Sequence, residues 1–302
     1  MQPFKKILLT GVNGQVGHAF VNSFQLLLAD NQDLQIFALN REQLDLTNAD
    51  AIRRVVRVIK PDLIINPAAY TLVDKAETES ELAFAINAIA PQIIAEEAAK
   101  LNAILVHYST DYVYDGTKIG AYDEADATNP ISVYGKSKLT GEQAIQAVDA
   151  QYLIFRTSWV YGSYGKNFLN TILRLARERE SLKIVADQFG APTSSFSIAT
   201  ATLEVINSLS SIKSKDWSGI YHLTNTGRTS WHGFATKIVE DYRANANNSS
   251  LLVNTIAPIT TAEYPTPAAR PANSELSSLK LKDTFGVSLP TWQQALKNVL
   301  HS

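Results

Sequence analysis

Five short apolar runs recur through the first half of this chain, each followed by a longer stretch with helical spacing. They are KILLT (6–10), LQIFAL (34–39), DLIINP (62–67), AILVHYS (103–109) and YLIFRTS (152–158). Within each run the hydrophobic residues are nearly continuous instead of alternating, the pattern of strands covered on both faces. The intervening helical stretches, near 15–29, 48–59, 78–101 and 132–148, complete a strict β-α-β rhythm. That rhythm predicts an α/β fold of Rossmann type, a doubly wound parallel sheet with right-handed crossovers. After residue 160 it loosens. Helices near 166–180, 195–209 and 230–244 are separated by short strands such as LKIVA and IYHLT, by the polar NANNSS and by the Pro-rich APITTAEYPTPAARPANS. Residues 1–160 are read as the main nucleotide-binding domain. Residues 161–302 are read mainly as a smaller, discontinuous substrate-binding cap, with some later segments returning to the sheet.

Composition excludes several classes of function. The 302 residues are 45% hydrophobic with a net charge of −2, ample for a core and without an electrostatic case for nucleic acid or an anionic membrane. With no cysteine, disulfides, catalytic thiols and cysteine-ligated metals are ruled out. No uninterrupted apolar run approaches the ~20 residues of a spanning helix. The start, MQPFKKILLTG, runs straight into a strand, and a soluble cytoplasmic protein is expected. The acceptor-like Asn247 and Asn248 are accordingly read as part of a polar loop.

The turn after the first strand carries the strongest local signal. TGVNGQVG sets Gly11, Gly14 and Gly17 at three-residue spacing, where glycine permits a tight turn, close approach of backbone to a pyrophosphate, and close helix–strand packing. Past the second strand, where NAD-binding proteins usually carry an acidic residue for the ribose, this chain has Asn40 and Arg41. An acidic group repels a 2′-phosphate and arginine pairs with it, so the expected cofactor is NADPH, with NADH as the alternative. Asp45 and Leu46 lie at a distance suited to flank the adenine.

Ligands of open α/β sheets sit beyond the carboxyl ends of the strands. The fourth run ends there in YSTDYVYDG, which brings Ser109, Thr110 and Asp111 to the mouth of the crevice. Further on, VYGKSK opens a helix with Tyr134 and Lys138 one turn apart on one face. An isolated Y-x-x-x-K is usually only a packed tyrosine and a solvated lysine. Beside a dinucleotide it suits ketone reduction, in which a tyrosine whose pKa falls from ~10 toward neutrality delivers a proton. Lys138 would supply the nearby positive charge and hold ribose hydroxyls. Thr110 would align the substrate oxygen.

The ordered set TGVNGQVG, NPAAYTLVDKAE, YSTDYVYDG, VYGKSKLTGE, RTSWVYG, DQFGAPTS, GIYHLTN, TSWHGFA and RPANSEL resembles the dTDP-4-dehydrorhamnose reductase family of extended short-chain dehydrogenases, over nearly the whole chain. The resemblance implies NADPH-dependent reduction of the 4-keto group of dTDP-4-dehydro-L-rhamnose, giving dTDP-L-rhamnose for polysaccharide. It implies catalysis by Thr110, Tyr134 and Lys138. Cofactor contacts would come from Gly14, Gln15, Val16, Asn40, Asp45, Leu46, Ala68, Ala69, Tyr70, Tyr108, Tyr134 and Lys138. Substrate contacts would come from Thr110, Asp111 and Trp159. Two alternatives stay open: reduction of a different nucleotide-linked 4-keto sugar, or a non-catalytic dinucleotide-binding subunit like that of methionine adenosyltransferase. An intact triad argues against the second, since a scaffold has no chemical need for it.

Other residues admit two readings. Trp159 suits a core as well as a substrate wall. Arg270 and Asn273 in RPANS either reach the diphosphate or sugar, or anchor a Pro-rich loop. Asn87, polar on an apolar helix face, is expected to bond neighbouring backbone. His18, His107, His222, His232 and His301 lack metal-ligand spacing, and His107 reads as a satisfied core residue. Some family members place Mg²⁺-binding glutamates between subunits. The aligned positions here are Ala19 and Phe196, neither able to ligate a metal, so no Mg²⁺ is expected there and a monomer or a dimer not bridged by metal is.

Overall fold

The structure, a computed structural model, describes residues 4–30, 33–212, 216–244 and 251–301; the NANNSS stretch lies outside them. The chain begins β1 (Lys6–Leu9), α1 (Gln15–Asp30), β2 (Gln35–Ala38), α2 (Ala49–Ile59), β3 (Leu63–Asn66), α3 (Val73–Ala76) and α4 (Ser80–Phe84). A π-helical turn (Ala85–Ile89) runs on into α5 (Ala90–Leu101), followed by β4 (Ile104–Thr110), α6 (Val133–Gln146) and β5 (Gln151–Thr157). These five strands and a later one, β10 (Gly219–His222), form one six-stranded sheet in the order β10-β5-β4-β3-β1-β2, every neighbouring pair parallel. The order reverses between β1 and β3, and the crevice opens at their carboxyl ends.

The continuous hydrophobicity of the strands has a simple cause. Ile7 and Leu9, Leu63 and Ile65, Val106, and Leu153 and Phe155 face a layer containing Phe20, Phe24, Ile198 and Val205. Their neighbours Leu8, Ile64, Leu105 and Ile154 face the opposite layer with Ile52, Val56, Ile93 and Ile94. Both faces are buried, so no polar face is left to alternate with. Ser80–Leu101 is long and apolar enough to cross a bilayer, but 56% of its most apolar window is buried inside the fold.

The second half contributes β6 (Val160–Tyr161), α7 (Phe168–Glu178), β7 (Ser181–Val185), β8 (Phe189–Gly190), β9 (Thr193–Ser194), α8 (Ser195–Ser208) and β10 (Gly219–His222). Then come β11 (Thr229–Ser230), α9 (Trp231–Ala244), β12 (Thr255–Ile259), β13 (Asn273–Ser274), α10 (Leu279–Phe285) and α11 (Trp292–His301). β10, from IYHLT, is the sixth strand of the main sheet, and α8 packs on α1. Residues of α7, α9 and α11, among them Leu169, Phe234 and Trp292, build a separate core, with the small sheets β11-β8-β13 and β12-β7 beside it.

Candidate active site

α6 carries the tyrosine and lysine, and its placement is tightly determined. The Ser132 hydroxyl caps its start, accepting from the Gly135 amide at 3.1 Å. The glycine between Tyr134 and Lys138 is needed because a Cβ there would lie 2.2 Å from the Tyr112 carbonyl oxygen. A second glycine, Gly141, lets the helix approach the π-helical turn, where a Cβ would meet the Asn87 carbonyl oxygen at 2.0 Å. Within that turn the Asn87 side chain accepts from the Tyr70 amide (2.8 Å) and donates to the Tyr70 carbonyl (3.0 Å) and to Ser137 Oγ (3.0 Å). Ser137 in turn donates to the Tyr134 carbonyl at 2.8 Å. One buried asparagine thus ties the loop after β3 to the turn bearing the tyrosine.

The crevice has a volume of about 890 Å³. It is lined by Gly11, Gly14, Gln15, Val16, Arg41, Asp45, Leu46, Ala68, Ala69, Tyr70, Tyr108, Thr110, Asp111, Tyr134, Lys138 and Trp159, so most of the residues expected from sequence converge on one site. Gly17 lies beneath it, where a Cβ would sit 2.2 Å from the Gly11 carbonyl oxygen. Gly11 itself has a φ of +60° and packs against Ala68, closing the turn at the switch point between β1 and β3.

Three expected contacts fall elsewhere. Asn40 forms a local turn, its Oδ1 accepting from the Gln43 amide at 3.0 Å. Asn273 anchors a loop by donating to the carbonyls of Lys118 (2.9 Å) and Gly120 (2.8 Å) and does not line the crevice. Arg270 donates to both carboxylate oxygens of Asp74 at 2.9 Å, pinning the Pro-rich segment to α3. Two of the histidines also have partners: His18 stacks on Tyr164 at 3.9 Å, and His232 Nε2 bonds the Ile256 carbonyl at 3.0 Å. Among the described residues no three His, Cys, Asp or Glu side chains gather as a metal set. Ala19 is buried in α1, and Phe196 is 58% exposed at the start of α8.

At the end of β4 a short chain of polar groups forms. The Thr110 hydroxyl, close enough to the Tyr134 phenol to favour its ionised form, donates to Asp111 Oδ1 at 2.9 Å. Burial pushes the Asp111 carboxyl up to about 6, opposed by the neighbouring hydroxyls of Ser274 and Thr110. Burial also raises the Tyr134 phenol above its ordinary value, the reverse of the lowering expected from a lysine partner. The charge of Asp111 adds to the rise, while the Lys138 ammonium donates to the Tyr108 carbonyl at 2.5 Å and lies 3.2 Å from His107 Nε2. Its own pKa falls to about 8, burial outweighing the favourable field of Glu142.

Sequence reasoning passed over Thr157, Tyr112, Glu79, Lys166, Asn167 and Trp231, all of which line the crevice. Trp231 stacks on Trp159, ring centroids 3.6 Å apart. Its position in TSWHGFA, opening a helix after a short strand, was the available signal.

Four buried polar atoms of crevice residues have no partner within the protein: Gln15 Oε1, Ser109 Oγ, Asp111 Oδ2 and Thr157 Oγ1. Such groups fit a site that a polar ligand completes. With a glycine turn at the switch point and a buried tyrosine and lysine lining the same crevice, this is the architecture of a dinucleotide-dependent reductase of the short-chain type. Comparisons with known proteins define the branch. The family profile of the RmlD substrate binding domain matches residues 5–302. A dTDP-4-dehydrorhamnose reductase of Burkholderia thailandensis is 46% identical over 293 residues, 96% of each chain. One from Escherichia coli K12 is 42% identical over 297 residues, covering 98% of this chain and 97% of the relative. A Bacillus anthracis dTDP-4-dehydrorhamnose reductase solved in complex with NADP superposes with a TM-score of 0.87 at 36% identity, covering 100% and 99% of the two chains. The chain belongs to the dTDP-4-dehydrorhamnose reductase family.

Proposed function

We propose that this protein uses NADPH to reduce the 4-keto group of dTDP-4-dehydro-L-rhamnose, yielding dTDP-L-rhamnose for polysaccharide biosynthesis. The observation that carries this reading is the convergence of Tyr134, Lys138 and the bonded pair Thr110–Asp111 on the crevice that begins at the glycine turn. Residues 1–160, with β10 and α8, hold the dinucleotide, and the rest of the second half forms the cap over the sugar.

When bound, the cofactor supplies a hydride. The turn Gly11–Gly17 would hold its pyrophosphate, Arg41 would pair with the 2′-phosphate, and Asp45 and Leu46 would flank the adenine. Ala68, Ala69, Tyr70 and Tyr108 line the path toward the reacting end. Tyr134 keeps its proton in the resting site, since burial disfavours the phenolate, and gives it to the substrate oxygen as charge develops there. Thr110 aligns that oxygen. Lys138 holds a positive charge on the floor of the crevice, and Trp159 and Asp111 bound the sugar. The chain acts in the cytoplasm as a monomer or a metal-free dimer on a nucleotide-sugar substrate, without nucleic acid or membrane partners.

Purified protein should oxidise NADPH when offered dTDP-4-dehydro-L-rhamnose in a panel of 4-keto sugar nucleotides. Preference for another base or sugar would reassign the substrate. Silence across the panel, with dinucleotide still bound, would favour a regulatory subunit.

A further inference from the structure

Lys138 is 1% exposed, and its ammonium carries three donors and no acceptor. The Tyr108 carbonyl takes one of them. The next polar atom, at 3.2 Å, is Nε2 of His107, a fully buried residue of β4. On its other side His107 Nδ1 lies 3.1 Å from the Asn66 carboxamide, and Thr10 Oγ1 lies 2.6 Å from the far end of that amide. Thr10 follows β1, Asn66 ends β3 and His107 lies opposite it within β4, so an unbroken polar row crosses three adjacent strands, from the glycine turn to the lysine. All three are buried, and an unmatched donor among them is costly.

We propose that His107 is the positioning residue for Lys138: a neutral imidazole protonated on Nδ1, whose Nε2 lone pair accepts from the ammonium and holds it beside Tyr108. This rests on the reductase reading only in the role given to Lys138. The assignment follows from counting donors. Facing an ammonium, Nε2 has to accept, so the one proton of a neutral ring sits on Nδ1. Asn66 then has to present its oxygen to Nδ1–H and donate through Nδ2 to Thr10. A carboxamide fits the same space either way round, and a hydroxyl serves as donor or acceptor, so neither neighbour opposes this pattern. The reverse pattern puts a proton on Nε2 against Lys138 and is satisfied only by an uncharged amine. Burial, and next the lysine's charge, disfavour the imidazolium, which has no lone pair to offer.

Long-range proton–nitrogen NMR of the protein labelled in its histidines reads the tautomer directly, with the His107→Gln variant assigning the signal. The expected result is a non-titrating Nδ1–H tautomer across the neutral pH range. An Nε2–H tautomer or an imidazolium overturns the proposal. Kinetics provide the second measurement. His107→Gln keeps an acceptor and should retain kcat within about threefold, whereas His107→Leu should lose about 10–100-fold, the range for a hydrogen bond to a charged group. Equal kcat in the two variants, at matched unfolding midpoints, also overturns it. Absence of wild-type turnover would count against the reductase reading alone, because the tautomer is read without substrate.

Discussion

Trp159 and Trp231 lie face to face, ring centroids 3.6 Å apart and planes 11° from parallel, with both residues lining the crevice. The contact holds a residue that its own backbone does not favour: Trp159 has a φ of +49°, in the left-handed region costly for a bulky side chain. Across its ring edge Gly190 leaves room, since a Cβ there would come within 2.8 Å of the indole. The wall proposed for the sugar is therefore held in place from two directions.

Trp231→Ala should consequently weaken substrate more than cofactor. Stacked aromatic pairs are worth about 0.5–1.5 kcal/mol beyond area burial, so a rise in KM of about two- to tenfold is expected, with less loss in Trp231→Phe. Steady-state kinetics together with NADPH titration provide the check. Equal losses for sugar nucleotide and NADPH would mean that the pair serves only the fold.

Asp111 makes stability depend on pH in an unusual direction. Its carboxyl is raised from an ordinary 3.8 to about 6, so the folded protein binds the proton more tightly than the unfolded chain does. Below the unfolded value both states are protonated and no penalty applies. As pH rises from there through about 6, the penalty of burying the carboxylate grows, to roughly 3 kcal/mol at most. Asp111→Asn should accordingly raise the unfolding midpoint above neutrality and flatten this part of the pH–stability curve. Denaturant melts at several pH values would reveal an unchanged slope if the carboxylate is stabilised some other way.

Arg41 lines the crevice with Asp45, and its field helps hold the Asp45 carboxyl below the usual range, after the bonds from Thr47. Arg41→Ala should raise the NADPH dissociation constant by about 10–100-fold, the range for a charged hydrogen bond, while NADH changes little. Fluorescence titration with both dinucleotides separates this from a loop defect, in which the two would weaken together.

The main sheet and the crevice were legible because each depends on a local pattern. Apolar runs buried on both faces reveal themselves in composition, and Gly11, Gly14 and Gly17 reveal themselves by spacing. Tyr134 and Lys138 shared a helical face as their spacing required, and the glycine between them met a close backbone approach. What stayed hidden depends on distant partners. Whether Asn273 faced sugar or backbone was decided by the carbonyls of Lys118 and Gly120, some 150 residues away. Arg270 was decided by Asp74 in the same way. The direction of the Lys138 ammonium required His107, a strand residue whose sequence context shows only an apolar run. Short strands such as β6, β8 and β9 have two residues each, too few for any period to register.

The central claim is that Tyr134 delivers the proton in a ketone reduction, and its phenol alone is removed in Tyr134→Phe. The most direct measurement compares NADPH consumption by the wild type and this variant with dTDP-4-dehydro-L-rhamnose, alongside NADPH binding to each. The account predicts unchanged binding with turnover reduced by about 10²–10⁴, the usual contribution of a positioned general acid. Near-normal turnover in the variant would contradict it.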